Sequence, residues 1–154
     1  MLLKGGYRIM KELLTNTRDV ARELARKYST MTHEELDQLE SILVPLKFAK
    51  NEMILKEGQI DENIMYVAKG LVRQFYFKKG KEVTEHMSTE GGMVMCIESL
   101  FREEPTYLQV EALEPTIIYA LPKHKLETVA LHNVNIQILY RKILEESLIL
   151  SQVH

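Results

Sequence analysis

All seven glycines of this 154-residue chain lie at or before Gly92, and an apolar, glycine-free stretch follows Pro122 to the end. Glycine serves where a backbone must reverse sharply, so the middle of the chain turns often and its final stretch has no such need. Between Leu46 and Leu121 turn signals recur about every ten residues. Leu46-Lys47-Phe48 alternates, Lys50-Asn51 turns, and Glu52 to Leu55 returns toward Gly58. Ile64 to Val67 and Leu71 to Phe77 flank Lys69-Gly70, and Lys78-Lys79-Gly80-Lys81 is a polar turn before Glu82 to Met87. Tyr107 to Ala112 and Ile117 to Leu121 complete the set, separated by Glu114-Pro115. Strands this short bury their apolar faces by closing on one another, as a sandwich or a roll.

Helical spacing frames this region. Ile9, Leu13, Thr17, Val20, Leu24 and Tyr28 predict one amphipathic helix. Thr32 and Glu35 form a capping box that opens a second helix through Leu36, Leu39 and Leu43, with Pro45 as its stop. Beyond Pro122, Lys123 to Leu131 reads as a short helix, His132-Asn133 as a break, and Val134 to Val153 as one long helix. The expected division is a helical segment over 1–45, a β-roll over 46–122 and C-terminal helices over 123–154.

Composition narrows the function. With 20 basic and 22 acidic residues the formal charge is −2, which argues against a dedicated nucleic-acid module. The single Cys96 excludes an internal disulfide and a zinc site of several cysteines. A reducing cytoplasm suits such a chain. No stretch reads as a signal peptide or a membrane span. The cations of residues 7–28 are interleaved with Glu12, Asp19 and Glu23, as on a solvated helix face. A soluble, cytoplasmic protein without membrane contact is therefore expected. The five histidines are scattered, and His86 has Glu82 and Glu85 near it but no second histidine at ligand spacing, so no metal or cofactor is expected. Glu98 with Tyr107 lacks a nucleophile and oxyanion donors, so no catalytic residues and no enzyme are expected.

Three pieces carry a family resemblance. Phe48 to Gly58 looks like an opening strand pair, and Ile64 to Arg73 like the pair that follows. Glu98-Ser99-Leu100-Phe101 with Glu111-Ala112-Leu113-Glu114 looks like a mid-roll insert. In this order they resemble the cyclic-nucleotide-binding domain of the catabolite activator (CRP/FNR) superfamily, closest to its Bacteroides-type members. The resemblance implies a mainly β fold, a double-stranded β-helix or jelly roll, with N-terminal helices and a long C-terminal dimerisation helix. It also implies that Gly91 to Ala112 is the insert that cradles a phosphate. In the family a Gly-Glu pair opens a short helix whose N–H groups face the anion, and an Arg-Ser/Thr pair neutralises and binds it. Matching Glu98 to Phe101 puts Met95 and Cys96 at the first pair; matching Val110 and Ala112 puts Thr106 and Tyr107 at the second. Arg102 is the nearest arginine, and it is expected in a turn. Loss of the buried arginine costs about 2–5 kcal/mol, at least about 30-fold in affinity, so tight cAMP binding is not expected.

The ligand-pocket candidates are Met95, Cys96, Ile97, Glu98, Thr106 and Tyr107, with Ser151 and Gln152 from the final helix. Cys96 among Met93, Val94, Met95 and Ile97 reads as core filler rather than a reactive thiol. Lys78, Lys79 and Lys81 read as a solvated hairpin tip. On the last helix Ile136, Tyr140, Ile143, Leu144, Ser147 and Leu148 mark a stripe broad enough to pack on a twin helix, so a homodimer is expected. The whole resembles the sensing and dimerisation part of a transcription regulator with an unidentified small-molecule effector. Residues 123–154 are too short for a winged helix-turn-helix, so DNA contact is expected only through a domain absent here, whether this is a piece of a longer chain or a stand-alone binding module.

Overall fold

The computed structural model describes residues 16–152. In chain order come α1 (Thr17–Tyr28), α2 (His33–Ile42), β1 (Val44–Phe48), β2 (Met53–Leu55), β3 (Asn63–Lys69) and β4 (Leu71–Lys78). There follow β5 (Lys81–Thr89), β6 (Met93–Val94), α3 (Ile97–Arg102), β7 (Gln109–Ala112), β8 (Thr116–Pro122), α4 (Lys123–Ala130) and α5 (Val134–Ser151). Two compact units result: a β unit, Pro45–Ala120, and a helical unit made from the residues on either side of it.

In the helical unit, α1 begins where the Asn16 side chain accepts from the N–H groups of Arg18 at 2.9 Å and Asp19 at 3.4 Å. Asn16 is extended, so the helix starts there; Ile9 and Leu13, expected on the same helix, lie outside the described residues. Its buried face is Val20, Ala21, Leu24, Ala25 and Tyr28, the spacing of a helical stripe. The capping box of α2 is present as expected, the Glu35 N–H donating to Thr32 Oγ1 at 3.2 Å and the Thr32 N–H to Glu35 Oε1 at 3.0 Å. The helix ends at Ile42, and Pro45 lies inside β1 rather than merely following the helix. Proline pushes the residue before it toward extended backbone, and β1 is an edge strand, where a missing N–H is tolerated.

Glu35 also reaches across to α5. Its carboxylate accepts from the Asn135 backbone N–H at 3.2 Å and from Asn135 Nδ2 at 2.8 Å. The N-cap residue of α5, Asn133, makes no side-chain capping bond, so one buried carboxylate serves the first turns of two helices. Farther along, Tyr28 Oη donates to Glu146 Oε1 at 3.2 Å.

The β unit is built on two four-stranded sheets, in the orders β1-β8-β3-β6 and β2-β7-β4-β5. Met65 and Val67 of β3, Val72 of β4, Val110 of β7, and Ile118 and Ala120 of β8 form the core with Val94 and Leu108. The fold is a mainly β jelly roll with flanking helices, as the sequence indicated. The expected strands all form, and β6 was not anticipated: two residues, paired as Met65↔Val94 and Tyr66↔Met93, are too few to show a period.

Candidate functional site

The family resemblance puts an anion at the start of α3, and there the Cys96 N–H is already engaged. Cys96 is the N-cap residue and its own side chain makes no capping bond. Its backbone N–H donates to Asp61 Oδ2 at 2.8 Å. Asp61 comes from the segment between β2 and β3, where its Oδ1 also accepts from the Asn63 N–H at 3.3 Å. The Asp61 N–H donates to Ser99 Oγ at 2.9 Å, and that hydroxyl donates to the Glu104 carbonyl, which fixes both ends of the short helix. Asp61 is 3% exposed, and burial above all pushes its carboxyl up to about 6, against the pull of the Cys96 and Asn63 N–H groups.

Around this pair stand other buried polar groups. Gln74 points inward from β4, and its Nε2 donates to the Met95 carbonyl at 3.0 Å and approaches Cys96 Sγ at 3.7 Å. Thr106 is buried and closed on its own turn: Oγ1 donates to the Leu108 carbonyl at 2.9 Å and accepts from the Leu108 N–H at 3.0 Å. Burial, with the Asp61 carboxylate behind it, pushes the Cys96 thiol up to about 12, so it is inert packing and not a reactive thiolate. Met95 is buried beside it.

The remaining candidates face outward. Tyr107 is about half exposed and meets the Tyr76 ring edge-on, with centroids 5.7 Å apart. Burial, then Glu85 and Glu98, hold its hydroxyl above the usual range. Ile97 and Glu98 are exposed on α3. Residues 45–120 contain two arginines, Arg73 and Arg102. Arg102 pairs with Glu98 at 3.3 Å on the surface. Arg73 is held by Glu111 at 2.7 Å and Glu82 at 2.9 Å, over the Phe75 ring. Both guanidinium groups are thus paired with carboxylates.

Ser151 and Gln152 lie in the helical unit, where Ser151 Oγ donates to the Leu148 carbonyl at 2.7 Å and Gln152 ends α5. Of the stripe expected on that helix, Ile136 and Ile143 must be corrected: both are 0% exposed within the chain itself, along with Leu139. They pack in the chain's own interior and present nothing to a partner. Tyr140, Leu144 and Ser147 are partly covered, and Leu148 is exposed, followed by the equally exposed Ile149 and Leu150. Among the described residues no three His, Cys, Asp or Glu side chains stand together as a metal site, and no helix is long and apolar enough to cross a membrane.

Asp61 and Gln74 escaped the sequence reading. Gln74 carries a signal, a polar residue at the inward position of an alternating strand between Val72 and Tyr76. Asp61 carries none, because a carboxylate after a glycine turn reads as ordinary loop chemistry.

The sequence model of the cyclic nucleotide-binding domain matches residues 45–133. Among solved structures the fold is similar to the Thermus thermophilus catabolite activator protein, at 22% identity and a TM-score of 0.64 over 77% of this chain and 56% of that one. It is similar also to a cyclic nucleotide-binding domain from Methylobacillus flagellatus, at 16% identity and a TM-score of 0.69 over 92% and 79% of the two chains. The sensor domain of the transcriptional regulator DNR from Pseudomonas aeruginosa aligns at 15% identity and a TM-score of 0.65 over 85% and 90%. The chain thus spans little more than half the length of the Thermus protein. No curated protein matches it.

Proposed function

Because this chain belongs to the cyclic nucleotide-binding domain family, we propose that it is the sensor and dimerisation part of a catabolite-activator-like transcription regulator whose roll no longer accepts cyclic nucleotides. The observation that carries this reading is the Asp61 carboxylate on the Cys96 N–H, at the place where the family resemblance puts the phosphate. With its carboxyl near 6, Asp61 is largely ionised at neutral pH. Two like charges about 4 Å apart repel by about 4 kcal/mol at an effective dielectric of 20. The arginine that would offset this is absent, since Thr106 stands in its place and is closed on Leu108. An entering phosphate loses its cation and meets an anion.

The roll is then a binding or scaffolding module and not an enzyme, with a different effector or none. The helical unit supplies the partner surface. Leu144, Ser147 and Leu148 of α5, extended by Ile149 and Leu150, form the seam of a homodimer, and DNA is engaged by a segment beyond these residues. Titration calorimetry of the chain with cAMP and with cGMP tests the central point. No saturable heat is expected up to about millimolar nucleotide, and a micromolar dissociation constant for either would overturn the reading.

A further inference from the structure

The β4–β5 hairpin departs from local rules in a way the fold does not require. Its ladder with β7 stops at Phe75↔Gln109, and the two strands continue as a bare ribbon through Tyr76↔Val83, Phe77↔Glu82 and Lys78↔Lys81. The turn itself is Lys79-Gly80, with φ of 52° and 77°. Positive φ at both positions favours Asn, Asp or Gly at the first, not a long side chain. Lys78 directly opposite Lys81 is a destabilising like-charge pair. All three lysines are exposed, and among the described residues none is in an ion pair. Glu82, the carboxylate next to Lys81 in the chain, is already held by Arg73 at 2.9 Å. Lysine on a free edge guards against strand pairing, which accounts for Lys81 on β5. It accounts as well for Lys78, where β4 has run past its ladder with β7, but not for Lys79 in the turn. Local choices that oppose stability mark positions kept for something else.

We propose that Lys78, Lys79 and Lys81 make this hairpin tip a contact point for the phosphate backbone of duplex DNA. Lysine is a point charge without the fork of arginine, suited to a repeating anion and not to one shaped carboxylate. A two-stranded ribbon is slim enough to approach a groove. The choice of DNA among polyanions rests on the regulator reading above. The contact is sequence-independent: it adds affinity and holds the sensor against the duplex while another segment reads bases.

Fluorescence anisotropy of a labelled duplex of scrambled sequence, titrated with the full chain, tests this. Three phosphate contacts give a slope of log K against log salt of about −2 to −3, so binding at about 20 mM salt weakens several-hundred-fold by about 200 mM. The Lys78→Gln, Lys79→Gln, Lys81→Gln variant should lose that slope, while Lys56→Gln, on another exposed turn, should keep it. Absence of duplex binding at low salt overturns the proposal. So does an unchanged slope in the triple variant, an equal loss in Lys56→Gln, or binding to phosphatidylserine vesicles but not to the duplex. Because calorimetry with cyclic nucleotides is a separate readout, a failure here leaves the reading of the anion seat standing, and the reverse also holds.

Discussion

Gly70 holds φ at +108°, and a Cβ built there would stand 2.3 Å from Thr116 Oγ1 and 2.8 Å from the Pro115 carbonyl oxygen. Gly80 has φ of +77° and open space around it. Both positions strain an L-residue, but one adds a collision with backbone. Gly70→Ala is therefore expected to cost about 2–4 kcal/mol and Gly80→Ala about 1 kcal/mol, read from urea unfolding; equal losses would contradict the close approach. At Asp61 the sign follows from a raised value. The folded state holds this proton more tightly than the unfolded chain does, so stability from this residue is greatest below the unfolded value and declines as pH rises through about 6. A gap of about two pKa units amounts to about 3 kcal/mol. Asp61→Asn keeps an acceptor for the Cys96 N–H and loses the charge, so the decline between about pH 4 and 7 should vanish in the variant. A variant with the same pH profile as the parent would show that the Asp61 charge is not the cause. The sequence disclosed that Met95, Cys96, Thr106 and Tyr107 lack the chemistry of a phosphate seat. It did not disclose the carboxylate that takes the Cys96 N–H.

Among elements, the junction of α2 with α5 is the most dependent on a single group. Burial by itself would raise the Glu35 carboxyl, but hydrogen bonds from Asn135 and Thr32 outweigh it and hold the group below the ordinary range. The stability it gives is thus present above the usual carboxylate value and is lost as pH falls through the lowered folded value, opposite in sense to Asp61. Glu35→Gln is expected to cost about 1–3 kcal/mol at neutral pH and to remove that acid-side loss, followed by far-ultraviolet circular dichroism at several pH values. An unchanged midpoint would mean that α5 has another cap. The capping box, the Lys78 to Lys81 turn and the succession of strands along the chain were legible because each is written in neighbouring residues. Strand β6 and the place of Pro45 in β1 were not, because both follow from pairing with distant strands.

For the molecule as a whole, the proposed homodimer rests on the uncovered face of α5. Leu148, Ile149 and Leu150 are more than half exposed on α5, while Ile143 is fully buried. A dimer is expected in light scattering, and Leu144→Asp with Leu148→Asp should shift the mass to monomer while the chain stays folded. Ile143→Asp should instead unfold it, since a buried unpaired charge costs several kcal/mol. A parent chain that is monomeric at high concentration would remove the seam. Sequence by itself determined the kind of most elements, the turns between them and the missing arginine, since propensity, period and side-chain identity act over a few residues. Tertiary structure alone decided that Asp61 meets the Cys96 N–H 35 residues away, that Glu35 meets Asn135 across 100 residues, and which side of α5 is buried. Those contacts exist only once each unit has folded, and no local pattern encodes the partner.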